Sequence, residues 1–180
     1  MLKRFFRRRI DAFEKRWGYD SAYLREILEA SPKAMLRIAL AQPLLKHRED
    51  LPLDVYAAAQ ITATQAADCV PCLELGIEMA RRAGLADDLL DAIVAGDVAK
   101  MTDGASLGYR FARAVVERDV AEAGRVRGEV LRTLGRRALV SLSIAVATAS
   151  FYPTLKHGMG RGRTAGGLGA AVAGARARAA

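Results

Sequence analysis

Cysteine, histidine and aromatic residues are scarce in this chain: 180 residues hold two Cys, two His, five Phe, five Tyr and one Trp. Two cysteines exclude both an intrachain disulfide framework and a four-cysteine zinc site. A zinc site shared by the cysteine pairs of two subunits would lack a nearby histidine, so no metal is assigned. Sustained alternation of apolar and polar residues is missing, which argues against a sheet. The glycines after residue 158 do not join a strand to a helix, so they form no nucleotide fingerprint. Neither paired catalytic carboxylates nor a Ser/His/Asp set stands out, and no cofactor is implied. The N-terminal charges are followed by no uninterrupted apolar segment, which excludes a secretory signal; Asp11 and Glu14 count against a mitochondrial presequence.

Apolar residues, by contrast, make up 52% of the chain, with alanine and leucine prominent. That is enough for one domain with a substantial core, and it leans toward helix. The formal charge of +8 is concentrated at the ends: residues 1–16 carry +5, residues 161–180 carry +4, and everything between carries −1. A near-neutral body is a poor match for a phosphate backbone, so nucleic acid is not an expected partner.

At the N-terminus, Leu2, Phe5, Phe6, Ile10, Phe13 and Trp17 recur near helical spacing, with Lys and Arg between them. Residues 1–18 therefore read as a basic amphipathic helix. Its apolar face can pack on the domain or on a second subunit, or it can lie peripherally on an anionic membrane. Beyond it the punctuation predicts a succession of helices. One runs from Asp20 or Ser21 to about Ala30, the next from Ser31-Pro32 to about His47 with a break at Pro43, and another from about Leu53 to Gln65. Further helices span about Cys69–Ala83, Asp87–Ala95, Thr102 to near Asp119, and from there to Leu134. The uncharged run Ala138–Leu155 is long enough to raise the question of a membrane span, but Ser141, Ser143, Thr148, Ser150 and Pro153 dilute it. It reads as a helix buried in a helical domain or oligomer. Residues 161–180, rich in Gly, Ala and Arg, are expected to form a mobile tail, leaving 19–160 as the domain.

The two cysteines stand as Asp68-Cys69-Val70-Pro71-Cys72. C-x-x-C spacing allows an internal disulfide, and redox cycling in a reducing compartment such as the cytoplasm fits the low cysteine count. Proline is tolerated in the first turn of a helix, so Asp68 is expected to cap a helix that starts with the pair. Orphan N–H groups and the helix dipole would then favour a thiolate.

From about Leu51 to Gly160 the order of elements resembles the alkylhydroperoxidase D-like, carboxymuconolactone decarboxylase superfamily. The likeness rests on Leu51-Pro52 opening a helix, Ala66-Ala67-Asp68-Cys69-Val70-Pro71-Cys72, and the Ala83-Gly84-Leu85 corner before Asp87-Asp88. Tyr109–Val116 and the closing Ile144–Tyr152 continue it. The resemblance implies an all-α fold, a homo-oligomer, and a thiol-disulfide oxidoreductase of peroxidase type with an antioxidant role. It makes Cys72 the peroxide-attacking thiolate and Cys69 the resolving thiol that meets a reductant, either a partner protein or a small thiol.

Redox members of that superfamily carry a histidine four residues after the second cysteine and a glutamate twelve residues before the first. Here those positions are Gly76 and Ala57. General acid–base catalysis, worth about 10²–10⁴-fold, must come from elsewhere. Gln60, Thr62 and Gln65 on the preceding helix can hydrogen-bond near the thiols without titrating. Glu78 reads as a solvated charge, and His157 reaches the pair only if the fold brings the chain's last helix over it. The alternatives are a helical oligomeric scaffold with reduced catalysis and a membrane-surface or partner-binding protein.

Overall fold

The computed structural model describes residues 1–161. Among them, eleven α-helices and one short 3-10 turn follow one another with no strand, so the all-α expectation holds. The helices are α1 (Leu2–Trp17), α2 (Ala22–Ala30), α3 (Pro32–Leu40), α4 (Gln42–Leu45), α5 (Leu53–Ala66) and α6 (Val70–Arg82). They continue with α7 (Asp87–Ala95), α8 (Asp103–Val116), α9 (Val120–Thr133), α10 (Gly135–Ala149) and α11 (Phe151–Gly158). The tail expected over 161–180 lies, apart from Arg161, outside the described residues.

Helix α5 is the hub. Val55, Ala57, Ala58, Ala59, Ile61, Thr62, Ala63 and Thr64 are all buried, so the helix is apolar on every side, as a central core helix must be. Val55, Ala59 and Ala63 face Phe111 of α8, Val126 and Val130 of α9, and Leu142 of α10. Ala57, Ala58 and Ile61 turn the other way, toward Leu73 and Ile77 of α6 and Leu90 and Ile93 of α7. Small side chains let the neighbours come close. At Gly108 of α8 an added methyl would overlap the Val55 carbonyl oxygen, so only glycine fits that crossing.

The uncharged run divides into α10 and α11 at Ser150. Its span Gly135–Gly158 is long and apolar enough to cross a membrane, a property shared with helices of protein cores. Here Ala138, Ser141, Leu142, Ala145, Val146 and Ala149 are buried. The Ser141 hydroxyl donates to the Glu49 carbonyl and accepts from the Glu49 amide, so the one polar group deep in α10 is satisfied.

Helix α1 packs on the protein itself. Phe6 and Ile10 are buried against Leu28 of α2 and Met35 of α3, each such side chain contributing about 1.5–3 kcal/mol. Four of its charges pair with α2: Lys3 and Arg7 hold Glu29, and Arg25 holds Asp11 and Glu14. Trp17 lies under the Arg82 guanidinium of α6, 4.6 Å from ring centre to carbon, and Arg82 also donates to the Arg16 carbonyl. The end of α1 is thereby tied to the end of α6.

Candidate functional site

The connection from α5 to α6 differs from the expected cap. Asp68 adopts a left-handed conformation, φ 49°, and its amide bonds the Gln65 carbonyl. It terminates α5 instead of capping α6, a conformation aspartate tolerates better than most residues. Cys69 takes the N-cap position of α6 without a side-chain cap bond, and Pro71 and Cys72 occupy the first turn as the spacing required. Cys69 and Cys72 are joined as a disulfide, Cα atoms 5.3 Å apart. Both are buried, Cys69 with 2% and Cys72 with 9% of its surface exposed.

The cover over the sulfurs comes from the two ends of the described chain. Gly18, left-handed at φ 60°, stops α1 and turns the chain so that Tyr19 points inward. Asp20 then accepts the Ala22 amide at the start of α2. Tyr19 is buried, and its hydroxyl lies 3.9 Å from Cys72 Sγ, at the long end for an O–H···S contact. From the opposite end α11 contributes Lys156, only 4% exposed, whose Nζ donates to the Tyr19 hydroxyl oxygen at 3.0 Å. The same ammonium stands 4.6 Å from the Tyr19 ring centre and 5.2 Å from that of Tyr23, a cation–π pair of contacts. Tyr19, Tyr23 and Ile27 close the seam against Leu75 of α6 and Tyr152, Leu155 and Met159 of the C-terminal end.

The electrostatics follow from burial. Desolvation lifts the Tyr19 phenol to about 12, partly offset by a hydrogen bond with Tyr23. Tyr23 is raised as well, chiefly by its own burial. The Lys156 ammonium is held below its ordinary value by desolvation, which the negative charge of Asp20 opposes. A buried amine, two buried phenols and a sulfur pair thus share one buried seam.

The polar groups proposed on α5 do not reach it. Gln60 donates to the Ala145 carbonyl, Thr62 to the Ala58 carbonyl and Gln65 to the Val94 carbonyl. Each is taken up by a helix carbonyl, Thr62 by one of its own helix and the two glutamines by those of α10 and α7. Glu78 pairs with Arg81 and Arg82, and these partners hold its carboxyl below the usual range. α11 does lie beside the pair, but exposed His157 contacts the Ala67 carbonyl at 3.1 Å, and it is the preceding residue, Lys156, that turns inward. Tyr19 and Lys156 were not singled out from the sequence. The available signal was a lysine four residues after Tyr152 and one after Leu155, on the apolar side of a helix.

Gly76 and Ala57 line a common cavity of about 140 Å³, with Leu73, Ile61, Met79 and Ala80. A methyl added at Gly76 meets nothing within 4 Å. Gly76 and Ala57 thus bring no titrating side chain to this largely apolar cavity.

No protein-family model, curated protein or solved structure matches this chain.

Proposed function

We propose that the protein is a thiol-disulfide oxidoreductase of the alkylhydroperoxidase D-like kind, reducing hydroperoxides through Cys69 and Cys72 and acting as a homo-oligomer. The observation that carries this reading is the closed Cys69–Cys72 disulfide on the first turn of α6, with a phenolic hydroxyl beside Cys72 Sγ. In the cycle, the Cys72 thiolate attacks a hydroperoxide oxygen; the O–O bond breaks, Cys72 becomes a sulfenic acid, and the alkoxide takes up a proton. The Cys69 thiol then displaces water from the sulfenic sulfur to form the disulfide. A dithiol or two monothiols reduce the disulfide and are themselves oxidised.

The test is a hydroperoxide assay of the full chain with a thiol reductant. Cys72→Ser is expected to abolish thiol-dependent turnover, and unchanged turnover overturns the reading.

Burial of both sulfurs favours a second reading, a helical scaffold in which the pair is structural. It requires slow alkylation of both thiols in the folded, reduced protein. Rapid labelling decides for the redox reading. Membrane contact through residues 1–18 is the weaker companion proposal: of the large apolar side chains of α1, Leu2 and Phe5 stay exposed while Phe6 and Ile10 are taken up internally.

A further inference from the structure

The geometry points to Tyr19 and Lys156 as the proton relay of Cys72, standing in for the proton carriers missing at Gly76 and Ala57. The inference rests on the redox reading of the cysteine pair and identifies the groups that would move its protons.

Three facts of placement support it. Cys72 Sγ, the Tyr19 hydroxyl and Lys156 Nζ form a continuous line, with steps of 3.9 Å and 3.0 Å. A phenol both donates and accepts, so it can pass a proton between a sulfur on one side and a nitrogen on the other. All three residues are buried, which strengthens the interactions among them. A buried lysine is also costly unless it has a partner, and the partners here are the Tyr19 oxygen and the faces of Tyr19 and Tyr23. The titratable and charged groups around the line are few. Tyr23 and Asp20 come from α2 and its lead-in, and Tyr152 from α11 with its hydroxyl taking a hydrogen bond from Gln42. On the α5–α6 side, Asp68 is exposed and His157 sits at the Ala67 carbonyl.

The transfer balances as a single proton shift. In the reduced protein the Cys72 thiol gives its proton to the Tyr19 oxygen while the Tyr19 hydroxyl proton moves to a neutral Lys156 amine. The products are a Cys72 thiolate, an unchanged Tyr19 and a Lys156 ammonium. The ammonium then donates to the Tyr19 oxygen and leaves the Tyr19 hydroxyl aimed at the sulfur. After attack on a hydroperoxide the shift runs backward and protonates the alkoxide. Burial disfavours the charged form of Lys156, so its amine holds the proton less tightly than an exposed lysine and can return it. Tyr19 touches the reacting atom; Lys156 acts through it as a positioning residue.

The experiment follows thiolate ultraviolet absorbance against pH in the full chain carrying Cys69→Ser, so that Cys72 is the only thiol. The midpoint is expected below the free value of about 8.5. Tyr19→Phe, which keeps the ring, and Lys156→Met are each expected to raise it by about one unit or more, a tenfold loss of thiolate at a given pH. Tyr152→Phe in the same seam is expected to leave it unchanged. The inference is overturned if neither variant moves the midpoint, or if Tyr152→Phe moves it equally. Oxidation of the reduced two-cysteine protein by a hydroperoxide, read as the mass loss of two hydrogens, separates the two claims. Oxidation with unmoved midpoints sinks the relay alone. Absence of oxidation in the unsubstituted protein sinks the redox reading, whatever the midpoints do.

Discussion

The first and second turns of α6 are opposites. At the first turn the cysteine pair is covered by a phenol and an amine that arrive from α1–α2 and α11, and the space is filled. One turn on, Gly76 and Ala57 line a largely apolar cavity, and a methyl added at Gly76 meets nothing within 4 Å. The difference teaches that the polar groups around the sulfurs are supplied by segments flanking the α5–α10 core, while Gly76 and Ala57 inside that core bring no titrating side chain. A buried polar group needs partners to be tolerated, and the segments before α2 and within α11 supply them beside Cys72.

The largest effect that tests this contrast comes from loosening the seam. Ile27 is buried between Tyr23 and the C-terminal helix region. Ile27→Ala is expected to lower stability by about 2–5 kcal/mol in urea denaturation and to speed alkylation of the reduced thiols. Loss of stability with unchanged labelling would show that the seam does not guard the sulfurs, and the contrast would fail.

A smaller effect lies in the pH dependence of stability. Lys156 is depressed in the folded state, whereas an unfolded lysine titrates near about 10.4. The unfolded chain therefore binds the extra proton below that pH, and this group makes stability rise as pH climbs toward about 10.4. Tyr19 acts in the opposite sense. Its phenol is raised to about 12 when folded, so its stabilising share is intact below about pH 10 and is lost as pH passes through about 12. Urea midpoints across this range should show a rise and then a fall, and Lys156→Met should flatten the rise and spare the fall. An unaltered rise in that variant would place the titrating group elsewhere.

The smallest effect belongs to the void. Because an added methyl at Gly76 meets nothing, Gly76→Ala is expected to stabilise the protein by about 0.5–1 kcal/mol through helix propensity alone. A loss would mean that the space is needed by a second subunit or a substrate, and the two turns of α6 would then be two parts of one site.

Much of the helix order was legible because local signals agree with their tertiary setting. Helices start at Ser31-Pro32 and at Thr102 as the punctuation predicts, and there the two hydroxyls accept from the Ala34 and Ala105 amides. Asp87–Ala95 ends at a left-handed Gly96. Asp68 misled because one aspartate can serve either helix at a tight junction, and the choice depends on how α5 and α6 cross. The polar residues of α5 misled for a related reason. Their side chains looked available in sequence, but each bonds a backbone carbonyl of its own or a neighbouring helix.

By itself the sequence determined the all-helical character, the basic first helix and the cysteine pair on a helix's first turn. Periodicity, caps and proline placement are local and act on any chain that carries them. Only the tertiary structure decided what surrounds that pair. Tyr19 and Lys156 lie 137 positions apart, and neither is unusual among its neighbours in sequence. Their meeting at Cys72 depends on how α2 and α11 pack around α6. That packing is set by the fit of Tyr23, Ile27, Leu75, Tyr152 and Leu155 in one apolar seam, and no local rule carries it.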